Sequence, residues 1–130
     1  MARQSTKKRI LVVDDEYDIT LSLRLGLEAG GFDVDALTNP ELVLSNFKPG
    51  LYSLVLVDIM MPKMNGFALY EQLKKVDPDV KVCFLTASEM YYENIRRAKY
   101  YALNKDLFLQ KPMSTDELIR EINKKINSTQ

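Results

Sequence analysis

Histidine and tryptophan are missing from these 130 residues, and cysteine occurs once. Without histidine there is no imidazole for acid–base work near neutral pH, no histidine metal ligand and no means of carrying phosphohistidine. The single thiol, Cys83, excludes an internal disulfide. Its setting in KVCFLT reads as a small buried hydrophobe rather than a nucleophile, which fits a reducing, cytoplasmic setting. Long apolar runs are also absent. Stretches such as LVLV fall far short of the roughly 20 residues that a membrane-crossing helix needs, and no charged start leads into an apolar core as in a signal peptide. Nor is there an excess of either charge. Lys and Arg total 18 against 18 Asp and Glu, so no global field draws the chain to nucleic acid or anionic lipid, and neither is expected as a direct partner. The remaining chemistry must come from carboxylates, lysines and hydroxyls.

At this length the expectation is one domain with a sizeable core and no room for a second, output domain. Residues 1–8, with Arg3, Lys7 and Lys8, read as a flexible basic leader, residues 9–126 as the folded domain and residues 127–130 as a tail.

Within that domain short apolar strands alternate with amphipathic helical patterns five times over, the signature of parallel strand–helix units. The first strand is Ile10–Val13, and its helix carries Ile19, Leu23 and Leu27 before Gly30-Gly31 ends it. FDVDA alternates apolar and acidic, as an edge strand would. In TNPEL, Asn39 can cap a second helix with Pro40 in first position. Pro49-Gly50 then turns the chain into LVLV, a strand covered on both faces that ends at Asp58. A third helix follows Gly66 with Leu69, Leu73 and Val76 inward, and the fourth strand is Val82–Leu85. The fourth helix repeats Tyr91, Ile95, Ala98 and Ala102, and the fifth strand is Leu107–Leu109. Ser114 and Glu117 have capping-box spacing ahead of the fifth helix, whose inner stripe is Leu118, Ile122 and Ile126. Short right-handed crossovers then give an α/β fold: a doubly wound, five-stranded parallel sheet in the flavodoxin-like order 2-1-3-4-5.

In such a sheet ligands bind at the carboxyl ends of the strands, and the polar residues there are Asp14, Asp15, Asp58, Thr86 and Lys111. Strands one and three are neighbours, so three carboxylates meet at the switch point. A cluster of that kind either takes up protons or binds a cation. With no histidine, and no cysteine at those strand ends, the ligand set is all oxygen, which favours Mg²⁺ and next Mn²⁺. Mg²⁺ keeps several waters and is completed by a substrate phosphate, so phosphoryl chemistry is the natural partner of this cluster. A carboxylate can itself attack phosphorus, and Asp58 stands alone at the end of the central strand. The plainer reading of Asp14 and Asp15, that they cap the first helix, leaves Asp58 and Lys111 unexplained.

The stretches VVDDE, VLVDIMMPKMNG, LTAS and FLQKP, in that order and each at a strand end, resemble the receiver domain of two-component response regulators from about Lys8 to Ile126. By that resemblance Asp58 is the phosphoacceptor, Asp15 a direct metal ligand, Asp14 an acidic partner acting largely through water, and the Met60 carbonyl a backbone ligand. Thr86 and Phe108 match the switch hydroxyl and switch aromatic, Lys111 the phosphate-binding lysine, and the Lys111–Pro112 bond is expected to be cis. The loop methionines Met60, Met61 and Met64 then have backbone and packing roles rather than forming a soft-metal site. One departure lies in YYALNKDLF, where Asn104 falls at a usual glycine; it bears on which partner docks there.

The resemblance implies a stand-alone phospho-switch, a monomer or a phosphorylation-dependent dimer, and not an enzyme beyond its own phosphorylation and dephosphorylation. A histidine kinase or histidine phosphotransfer protein would donate the phosphoryl group. A downstream protein would read the altered surface of the fourth helix, fifth strand and fifth helix, with the tyrosine pairs Tyr91/Tyr92 and Tyr100/Tyr101 close by. Two alternatives stand beside it. A small Mg²⁺-dependent phosphatase of the haloacid-dehalogenase type needs a second aspartate two positions after the nucleophile, where Met60 stands. A degenerate receiver used only for docking does not account for the intact acids, Thr86 and Lys111.

Met60 and Ser88 fall where the resembled family flanks the path of the hydrolytic water, and neither offers a carboxylate or amide to hold that water in line. A phosphorylated state would therefore decay slowly unaided. Followed in Mg²⁺ by phosphoprotein gel, Met60→Asn should lose its phosphate several-fold faster than the wild type; equal rates would remove Met60 from any role in the lifetime.

Overall fold

In the computed structural model the described residues are 7–58, 66–86, 108–110 and 114–127. In chain order they form β1 (Arg9–Val13), α1 (Tyr17–Ala29), β2 (Asp33–Leu37), α2 (Glu41–Asn46), β3 (Leu54–Asp58), α3 (Gly66–Val76), β4 (Val82–Thr86), β5 (Phe108–Gln110) and a C-terminal helix (Thr115–Ile126). The five strands make one parallel sheet in the order β2-β1-β3-β4-β5, as the alternation of elements predicts.

Strand parity divides the core in two. On one face Leu11, Val13, Val55, Val57, Val82 and Phe84 pack against Val43 of α2, Phe47 just after it, and Phe67, Leu69 and Leu73 of α3. On the other, Ile10, Val12, Leu54, Leu56, Cys83 and Leu85 pack against Leu27 of α1 and Leu118 and Ile122 of the C-terminal helix. Every residue of β3 is buried, which is why it reads as an unbroken apolar run. Each of its leucine and valine side chains stabilises the fold by about 1.5–3 kcal/mol. Phe84 is fully enclosed, its ring tilted against Phe67 at 4.9 Å and Tyr70 at 5.5 Å. Cys83 is buried as expected; burial pushes its thiol up to about 12, so it stays protonated and inert at neutral pH.

The local punctuation follows the sequence. Asn39 Oδ1 accepts the Glu41 N–H at 3.0 Å, and Pro40 already has helical dihedral angles. Leu51 N–H donates to Lys48 O at 3.1 Å across Pro49 and Gly50; with φ of +81° at Gly50 this is a type II turn. Ser114 Oγ accepts the Glu117 N–H at 3.1 Å and caps the C-terminal helix. The carbonyls of Lys125 and Ile126 at its far end accept from Lys81 Nζ at 2.9 and 2.7 Å.

One expectation needs correction. Val76 ends α3 but is about half exposed, because the helix turns it past the edge of the core that Leu69 and Leu73 fill. Of the expected fifth strand Leu107–Leu109, Phe108 and Leu109 are in β5, which runs over Phe108–Gln110 in register with Phe84–Thr86, and Leu107 lies outside the described residues. The expected fourth helix around Tyr91–Ala102 and the Lys111–Pro112 bond lie outside the described residues.

Helix α1 meets the C-terminal helix through small residues. A Cβ on Gly26 would stand 2.9 Å from Thr115 Cγ2, and one on Gly30 would stand 2.5 Å from Ile119 Cδ1. Gly30→Leu should therefore lower stability by about 1–3 kcal/mol in urea unfolding. Adding Ile119→Ala should recover part of that loss, a coupling that would be absent if the two helices were not in contact.

Candidate functional site

The register Val13↔Val57 carries β1 and β3 side by side to their carboxyl ends, so the next residues, Asp14 and Asp58, end neighbouring strands at one level. Both are buried, at 1% and 6% exposure. Asp14 is fixed twice: its N–H donates to Leu37 O at 3.2 Å, and its Oδ1 accepts the Glu16 N–H at 3.0 Å. The second bond closes an Asx turn that lifts the chain from β1 into α1. It is not a helix cap in the usual sense, since the residue before α1 is Glu16 and no side-chain cap bond is made there. The helix-capping reading of Asp14 thus accounts for its Oδ1 and not for its burial beside Asp58.

Asp15 is half-buried and Glu16 exposed, and ligand oxygens of Asp14, Asp15 and Glu16 lie within 4.8 Å of one another. Glu16 was not among the residues expected to hold metal. Its place in VVDDE was the available signal, but sequence alone does not show that the Asx turn brings its carboxylate back beside its neighbours. The oxygen-only donor set and the spacing suit a hard cation such as Mg²⁺, and Asp58, which is not among those three residues, ends the adjacent strand. The start of α1, which follows this loop, adds the partial positive charge of a helix N-terminus.

The other expected residues are placed in part. Thr86 ends β4, one residue beyond Leu85, the register partner of Asp58. Phe108 opens β5 opposite Phe84. Lys111 and Met60 lie outside the described residues. The structure therefore brings Asp14, Asp15 and Asp58 to one edge, with the backbone of Thr86 beside them.

A family model described as the response regulator receiver domain matches residues 10–123. The chain belongs to the response-regulator receiver family. Among solved structures, this receiver is similar to the Thermotoga maritima response regulator TrrA in complex with Mg²⁺ and BeF, at 34% identity and TM-score 0.75, over 90% of this chain and 97% of that one. It is also similar to the non-phosphorylated receiver domain of HemR from Leptospira biflexa, at 28% identity and TM-score 0.78, over 95% and 98%. Curated relatives include the transcriptional regulatory protein DltR of Streptococcus agalactiae, 32% identical, with 88% of this chain and 50% of that protein covered. A transcriptional regulatory protein, the CpxR homolog of Haemophilus influenzae, is 39% identical over 88% of this chain and 48% of its own length. The receiver spans about half the length of these curated relatives.

Repulsion between neighbouring carboxylates is relieved by a bound cation or by loss of one charge. Asp14→Asn keeps the Oδ1 acceptor and removes one charge, so in a chelator it should raise unfolding free energy by about 1 kcal/mol. Mg²⁺ at a hundredfold excess over its Kd should stabilise the wild type by about 2.7 kcal/mol. The mutant should gain less, and thermal melts with and without Mg²⁺ measure both effects.

Proposed function

We propose that this receiver accepts a phosphoryl group on Asp58 from a histidine kinase or histidine phosphotransfer protein, in a reaction that requires Mg²⁺. The observation that carries the reading is the burial of Asp14 and Asp58 at the same level on adjacent strands, with Asp15 and Glu16 on the loop beside them. Asp15, Asp58 and the Met60 carbonyl would hold the ion directly and Asp14 largely through water, and the ion when bound neutralises charge on the phosphoryl oxygens. Mn²⁺ has the same donor preference and should substitute.

A carboxylate oxygen of Asp58 attacks phosphorus while the P–N bond to the donor imidazole breaks. The bonding pair leaves with the imidazole, which takes a proton from solvent, and the product is an acyl phosphate. Lys111 pairs with one phosphoryl oxygen, and the Thr86 hydroxyl donates to another. Movement of Thr86 toward the phosphate, followed by Phe108, alters the surface that a downstream partner reads. The domain is no enzyme toward other substrates: it catalyses only its own gain and loss of phosphate.

The proposal is made for the domain, whether it acts alone or joined to an effector, since the matched relatives are about twice as long. Because those relatives are named as transcriptional regulators, the expected absence of nucleic-acid contact is not carried forward. No helix among the described residues is long and apolar enough to cross a membrane, in keeping with a cytoplasmic exchange.

Incubation with acetyl phosphate and Mg²⁺ should add one phosphoryl group by intact-mass spectrometry, and Asp58→Asn should remain unlabelled. Labelling that persists in Asp58→Asn would move the acceptor elsewhere, and no labelling of the wild type would favour a docking role alone. Asp15→Ala should weaken Mg²⁺ binding in calorimetry far more than Asp14→Ala, because Asp15 is the direct ligand of the two.

A further inference from the structure

Strand β2 closes one side of the sheet: it pairs with β1 and with no other strand among the described residues. Asp33 N–H donates to Lys8 O at 2.9 Å, and Asp14 N–H donates to Leu37 O at 3.2 Å. In a parallel ladder anchored at those two points, Asp33, Asp35 and Leu37 face β1, and the backbone N–H and C=O of Val34 and Ala36 face outward. A cavity of about 430 Å³ runs along this outer edge, lined by Val34 and Ala36, by Arg24 of α1, and by Lys48, Leu51 and Tyr52 beyond α2.

The charge beside this edge is unbalanced once the contacts are followed. Of the two acids of β2, Asp33 lies outside the cavity lining, and Asp35 is held at both oxygens: Oδ1 by Arg9 at 3.1 Å and Oδ2 by the Tyr52 hydroxyl at 2.7 Å. Burial and the bond to Asp35 push Tyr52 up to about 12, so it remains a donor throughout the neutral range. Arg24 and Lys48 remain at the cavity wall, both exposed, and Arg24 makes only a long 3.5 Å pair with Glu28. Leu51, 42% exposed, adds an apolar surface between them. Natural edges are commonly blunted by proline, a bulge or charged side chains; β2 is a regular five-residue strand with neither proline nor bulge, and its charges are Asp33 and Asp35.

We propose that this edge docks an extended segment of a partner protein that carries acidic side chains and adds beside β2 as a further strand. Main-chain bonds to Val34 and Ala36 supply the register, and the acidic side chains meet Arg24 and Lys48. The site does not include Asp58, so its test is independent of phosphoryl transfer.

The full chain, labelled with ¹⁵N, would be titrated with a capped peptide of alternating valine and glutamate. Hydrogen-exchange protection should rise about tenfold at the amides of Val34 and Ala36, and a peptide with lysine in place of glutamate should not produce it. The Arg24→Glu, Lys48→Glu double variant should bind the glutamate peptide at least about tenfold more weakly. Ala36→Pro removes an outward N–H and no bond to β1, so it should abolish binding while the amides of Asp33 and Asp35 stay protected. Unchanged protection at saturating peptide, equal binding of the lysine peptide, or undiminished binding by the double variant would each overturn the proposal. So would protection of the same amides that grows with protein concentration in the absence of peptide.

Discussion

The structure depends on the register between β1 and β3. Four paired residues, Ile10 to Val13 against Leu54 to Val57, bring two apolar strands to their ends together and oblige the residues that follow to stand side by side. Those residues are aspartates in a buried position, so the burial of acidic groups is concentrated at the sheet's carboxyl edge. The apolar strands, fully buried in β3 and nearly so in β1, supply the stability that tolerates it. A one-residue slip would turn every strand side chain to the other face and separate the pair. Fold and site are therefore set by one and the same alignment.

Much of this was legible in the residues because parallel strands and their helices follow different periods. LVLV could only be a strand covered on both sides, and the alternation in FDVDA marked an edge. Asn39, Pro49-Gly50 and Ser114 announced their turns and caps through local chemistry that requires no tertiary partner. What escaped depends on contacts distant in sequence. Val76 has the right spacing to face inward, but the core ends one helical turn earlier. Glu16 joined the acidic group through a turn made by the Asp14 side chain, which spacing alone does not reveal.

Polar side chains away from the carboxyl edge are used for closure. Lys81, at the foot of β4, binds the last carbonyls of the C-terminal helix, and Asp77 Oδ2 accepts the Gly50 N–H at 3.1 Å and so ties the turn before β3 to the end of α3. Each such bond satisfies a backbone group that a helix end or turn would otherwise leave to water. The part of the sheet that faces chemistry is thus separated from the part that is sealed.

The contact between Gly26, Gly30 and the C-terminal helix is one of two places where α1 is seated. Its last turns lie against the side-chain tips of Thr115 and Ile119, and in its first turn Thr20 is buried although Tyr17 beside it is two-thirds exposed. At 1.5 Å per residue the helix is about 20 Å long, so it spans the sheet like a beam supported near both ends. A change of charge in the acidic loop that precedes it therefore meets a helix already held at its near end, and the loop itself is the more compliant part.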